Sequence, residues 1–211
     1  MTKFAQKNRK GGFSVLELII SIAIFALITG IVLVSHSRFG GSILVTNLAY
    51  DVALSIRQAQ TYGISVRGFD DNFKGVYGVH FDRSNNKEFV LFSDIEKSGN
   101  RSFQYDGDFE NSCNIDGNEC VKLFTIGRGN YISKFCVVNL SGVEQCSHFP
   151  AGSNNLITTM DITFMRPNPR AIIRTDKFNF NSGAQIYVSS PSGEERRIDV
   201  FMTGQISVAN Q

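Results

Sequence analysis

The sequence predicts an α+β chain: a long N-terminal transmembrane and amphipathic helix, then an antiparallel β-rich globular head. Three observations predict it. A bilayer-length apolar run starts near residue 13. Helical spacing of apolar residues resumes after Gly41 and fades near Gly63. From there to the C-terminus, short runs rich in Val, Ile, Phe, Tyr and Thr alternate with turn signals, and no helical pattern separates them. Strands in succession without crossover helices argue for antiparallel sheets and against a doubly wound fold.

The first element is the apolar run. From Val15 to Val34, 16 of 20 residues are Ala, Val, Ile, Leu or Phe. As a helix this stretch spans roughly 30 Å, the thickness of a bilayer core. It is too long for a secretory signal, and Ser35-His36-Ser37 after it is no small-residue cleavage site. One carboxylate, Glu17, sits inside the run. A charge at that depth is costly and calls for a partner.

Ahead of the run is a basic leader, residues 1–12. It holds Lys3, Lys7, Arg9 and Lys10 and no acid; without those four, 17 basic side chains face 19 acids. The net charge of +2 therefore belongs to the leader, and the remainder is not a basic nucleic-acid surface. The positive-inside rule puts residues 1–12 in the cytoplasm and the head outside.

The helix is expected to continue over residues 35–63, with a kink or melted turn at Gly40-Gly41, where paired glycines weaken it. Leu44, Leu48, Val52 and Ile56 recur every fourth residue, flanked by Val45, Ala49 and Ala59. Asp51, Arg57, Gln58 and Gln60 fall largely off this stripe, so it is expected to pack on a sheet. Gly63 is expected as a C-cap.

The head, 64–211, is read as strands at Gly75–Asp82, Glu88–Asp94, Cys120–Ile126, Tyr131–Leu140, Leu156–Met165, Ala184–Ser189 and Arg196–Met202, with a short one at Gly204–Val208. Residues 83–87 form a turn, and Asn139-Leu140-Ser141-Gly142 a hairpin turn. Four cysteines, Cys113, Cys120, Cys136 and Cys146, lie beyond the apolar run without Cys-x-x-Cys spacing. Disulfides in an oxidising compartment are expected. Three pairings exist; Cys113–Cys120 with Cys136–Cys146 is favoured because each closes a short loop, and buried free thiols are the alternative.

Gly12-Phe13-Ser14-Val15-Leu16-Glu17-Leu18-Ile19 resembles the class III signal of type IV pilins and pseudopilins. The resemblance implies that prepilin peptidase cuts after Gly12 and methylates Phe13. Glu17 is then the fifth residue of the mature chain, where the family has its glutamate. Phe13 and Glu17 are one helical turn apart in sequence, and between subunits Glu17 can face a neighbour's amine. Residues 47–60, Tyr77–Asp82, Phe89–Asp94, Gly183–Ile186 and Gly204–Val208 are similar to the minor pseudopilin H class, which includes FimT-like pilins. The implied partners are other pilin or pseudopilin subunits and an inner-membrane assembly platform. The implied setting is a single-pass inner-membrane protein that passes into a type IV pilus or a type II secretion pseudopilus.

No catalytic constellation stands out, and neither cofactor nor metal is expected. His36, His80 and His148 are scattered, and Ser189-Ser190-Pro191-Ser192-Gly193 lacks the Gly-x-Ser-x-Gly of a nucleophile elbow. Asp106, Asp108, Glu110 and Asp116 make an acidic loop that fails the EF-hand pattern: Asn111 takes the glycine position and Gly117 the glutamate position. Arg166, Arg170, Arg174 and Lys177 surround Pro167-Asn168-Pro169 and are read as a basic loop. Some FimT-like pilins take up DNA, so the alternatives to a structural subunit are a DNA- or surface-binding pilin and, last, a membrane-anchored enzyme.

Overall fold

The structure is a computed structural model that describes residues 12–65, 75–95, 101–107, 113, 118–147, 156–179 and 181–210, without the side chains of 34–40 and 210. It divides into two compact units, 1–40 and 41–211. Helix α1 (Val15–Ile64) contributes to both and is helical through Gly40 and Gly41, so the melted turn expected there does not form.

In the first unit α1 opens at Ser14. The Leu16 amide donates to Ser14 Oγ (3.3 Å), an N-cap bond that satisfies one free amide of the first turn. Val15–Leu33 is long and apolar enough to cross a membrane, and none of it is buried among the described residues.

In the second unit, among the described residues, ten strands follow the helix: β1 (Val76–Asp82), β2 (Glu88–Asp94), β3 (Cys120–Thr125), β4 (Tyr131–Asn139), β5 (Glu144–Cys146), β6 (Thr159–Met165), β7 (Asn168–Thr175), β8 (Asn181–Ser189), β9 (Glu195–Phe201) and β10 (Ile206–Asn210). They form two antiparallel sheets, in the orders β3-β2-β1-β6-β7 and β10-β9-β8-β4-β5. The α+β architecture expected from the sequence is the one observed.

The core lies where α1 meets both sheets. Val45, Ala49, Val52 and Ile56 are fully buried at helical spacing and share one cluster with Phe81 and Phe89 of the first sheet and Phe135 and Ile186 of the second. Asp51 and Arg57 are exposed, as their place off the stripe requires. Polar side chains fix the helix at both ends. Arg196 on β9 donates from Nε to Thr46 Oγ1 and from Nη2 to Ser42 Oγ, each at 3.1 Å. Gln60 Nε2 donates to the carbonyls of Pro169 (3.1 Å) and Gly204 (2.9 Å).

Two expectations are corrected. Gly63 is no C-cap: it lies inside α1, and a Cβ there would stand 2.8 Å from the carbonyl carbon of Phe164. Its smallness lets the helix press on β6. The basic segment is no loop either. Residues 168–175 form β7, paired with β6 from Met160↔Thr175 to Met165↔Asn168. Ala171, Ile173 and Thr175 point inward and Arg170, Ile172 and Arg174 alternate with them. Strand β5 was also not foreseen; it is only three residues long.

Candidate functional site

The N-terminal constellation is open. Phe13 is 83% exposed, and Gly12 has no heavy atom within 4 Å of where a Cβ would be. Phe13 precedes the helix, which starts at Val15, so the one-turn pairing of Phe13 with Glu17 is not set in the uncut chain. Glu17 lies in the first turn of α1, where a negative charge complements the helix dipole. Its carboxylate has no cation in ion-pair range among the described residues. Residues 1–11 of the basic leader lie outside the described residues.

The four basic residues singled out around Pro167 differ in exposure and in what they already contact. Arg170 is exposed on β7, an edge strand. Arg174 is already engaged: its Nη1 donates to the carbonyl of Ser102, and its guanidinium lies 4.8 Å from the centre of the Phe103 ring. Arg166 is part-buried before β7, and Lys177 is exposed after it; both have partners of their own. Of the two that lie on β7, only Arg170 is exposed. Of the acidic loop only Asp106 is among the described residues; Asp108, Glu110 and Asp116 fall outside them, as does His148.

The comparisons bear on the N-terminus alone. Residues 7–33 match the prokaryotic N-terminal methylation motif. No curated protein and no solved structure matches the chain. The motif supports a type IV pilin-like class III signal, and with the apolar helix it points to a membrane-anchored structural protein processed by prepilin peptidase.

Behind this methylation-motif anchor, the head has a polar layer that sequence reasoning missed. Three buried carboxylates on or beside the first sheet hold the backbone of Ile95, Phe103, Tyr105 and Asp106. Asp94 accepts from the Phe103 amide (2.8 Å), Glu119 from the Ile95 and Asp106 amides (3.3 and 3.1 Å), and Asp161 from the Tyr105 amide (3.2 Å). His80 Nδ1 sits 2.7 Å from Asp161 Oδ1, with both residues buried, so this histidine is a structural member of β1. Burial is the main cause that pushes the Asp94 carboxyl above its ordinary 3.8, against the pull of the Phe103 amide and of Arg101; Asp106 adds to the rise and Arg174 opposes it. In the sequence these are three isolated acids beside or within strand residues, a pattern too common to read.

Both cysteine pairs favoured from loop length are joined. Cys113 and Cys120 have Cα atoms 4.8 Å apart, and Cys136 and Cys146, cross-strand partners on β4 and β5, 3.9 Å apart. Cys136, Glu144 and Cys146 also come within metal-ligating distance of one another. With both sulfurs in the disulfide, no thiolate is left to bind an ion.

Proposed function

We propose that this chain is a minor pilin or pseudopilin of the H class, a structural subunit of a type IV pilus or type II secretion pseudopilus. The observation that carries the reading is the methylation motif over residues 7–33, set on an uncovered apolar helix with Gly12-Phe13 accessible. Prepilin peptidase cuts between Gly12 and Phe13 on the cytoplasmic side and methylates the new amine. The helix stores the subunit in the inner membrane with its head outside. The assembly platform then extracts it, and Glu17 pairs with the amine of a neighbouring subunit. At ~4 Å and an effective dielectric of ~20 that attraction is about 4 kcal/mol before desolvation. A carboxylate that is costly alone in lipid thus favours the assembled state.

Mass spectrometry of the protein from cells with and without prepilin peptidase tests the reading. A mature chain starting at methylated Phe13, and only when the peptidase is present, supports it; an intact leader in both overturns it. DNA capture through Arg166, Arg170, Arg174 and Lys177 is not favoured, because Arg174 is spent on Ser102 and Phe103.

A further inference from the structure

A groove of about 510 Å³ runs along β7 in the head. Asn168 and Arg170 to Arg174 line it, so it follows the strand for roughly 20 Å at the usual rise per residue. Its apolar lining comes from Leu140, Met165, Ile172 and Met202, contributed by three separate parts of the head. Among the described residues its charged side chains are Arg170 and Arg174, and no acid lines it.

Two polar atoms of this lining have no hydrogen-bond partner among the described residues. Asn181 is 7% exposed, and its Nδ2 is committed to the carbonyls of Ile173 (3.1 Å) and Phe178 (3.2 Å). Those two acceptors fix the amide's orientation and leave Oδ1 without a donor. Arg174 Nε–H, held by the Ser102 and Phe103 contacts of its own guanidinium, has no acceptor. One orphan acceptor and one orphan donor on the same wall match a ligand that carries both groups. Both atoms are covered, so a ligand meets them as the flanking side chains part.

We propose that this groove binds an extended acidic peptide segment of a partner protein, with apolar side chains on one face. An extended backbone supplies alternating N–H and C=O groups for Asn181 Oδ1 and Arg174 Nε. Alternate apolar side chains fill the space between Leu140, Met165, Ile172 and Met202. Carboxylates on the other face meet Arg170, which is exposed at the rim. An elongated, open, part-apolar trough fits a strand better than a compact small molecule, and apolar walls with one cation occupied suit nucleic acid poorly. The proposal does not depend on how the N-terminus is processed.

The test uses the full chain in detergent and a fluorescein-labelled hexapeptide alternating leucine and aspartate. Fluorescence anisotropy should show saturable binding, at least about tenfold tighter than for the leucine–lysine analogue. Arg170→Glu and Leu140→Asp, both at exposed positions, should keep the native circular dichroism spectrum and each weaken binding about tenfold. No saturable binding, equal binding of the lysine analogue, or unchanged affinity in both variants overturns the proposal. So does an Arg170-dependent preference for a short DNA duplex over the acidic peptide.

Discussion

Removing the Cys136–Cys146 bond should unfold the head at markedly lower denaturant. The two residues face each other in register on β4 and β5, and Cys136 is fully buried. The bond closes a loop of sequence separation 10, and a loop of that size limits the unfolded chain by about 2.5–3 kcal/mol. Cys136→Ala with Cys146→Ala also removes a buried sulfur, which brings the expected loss to about 3–4 kcal/mol. That is a large share of the 5–15 kcal/mol typical of a domain. With a urea slope of roughly 2 kcal/mol per molar, the midpoint falls by about 1.5–2 M. The assay is equilibrium urea unfolding of the oxidised wild type and the double variant, followed by circular dichroism. A midpoint shift under about 0.3 M would refute the reasoning, since the loop would then be closed equally well without the bond.

Arg196→Ala removes the bonds to Ser42 and Thr46 and should cost about 1–3 kcal/mol, with faster amide hydrogen exchange in that turn of α1; unchanged exchange there would contradict the clasp. Asp94 has a raised pKa in the folded head, so the fold holds its proton more tightly than the unfolded chain does. Its contribution is then most favourable below about pH 4 and is lost as the pH rises through the raised value. Asp94→Asn should therefore gain stability relative to wild type between pH 4 and pH 7, read from urea midpoints at both; a gain that shrinks with pH would reverse the sign argued here. Glu17→Ala should leave membrane insertion intact and cut incorporation into filaments at least about tenfold, as loss of a pairing of several kcal/mol requires; immunoblots of membrane and sheared filament fractions measure both.

What the sequence disclosed followed from periodicity. The stripe Leu44, Leu48, Val52 and Ile56, flanked by Val45, Ala49 and Ala59, marks one helix face, and all but the part-buried Leu44 lie in the core; most strands, though not β5 and β7, had runs of β-branched and aromatic residues bounded by turns. The Asn139–Gly142 turn was legible because Asn139 can bond its own following amides, as it does to Ser141 and Val143 at 2.9 Å, and Gly142 can take φ +80°. Strand β7 was hidden by Pro167 and Pro169, which punctuate its start, and by two arginines that drew the eye to charge. Yet Ala171, Ile173 and Thr175 alternate with Arg170, Ile172 and Arg174, the period of a strand with one face inward. Gly63 misled because a glycine near a helix end usually caps it; only the approach of β6 shows why a side chain is excluded. At the candidate site, Gly12, Phe13 and Glu17 were readable as a linear pattern, whereas the groove on β7 joins residues 103 to 202 and has no linear signature.

The proposed function turns on processing of the N-terminal motif ahead of assembly. The most direct measurement is the intact mass and N-terminal peptide of the protein purified from membranes of cells that express prepilin peptidase. The account predicts a chain beginning at Phe13 with one added methyl group. A chain that keeps residues 1–12 in those cells, or that begins at any residue other than Phe13, would contradict it.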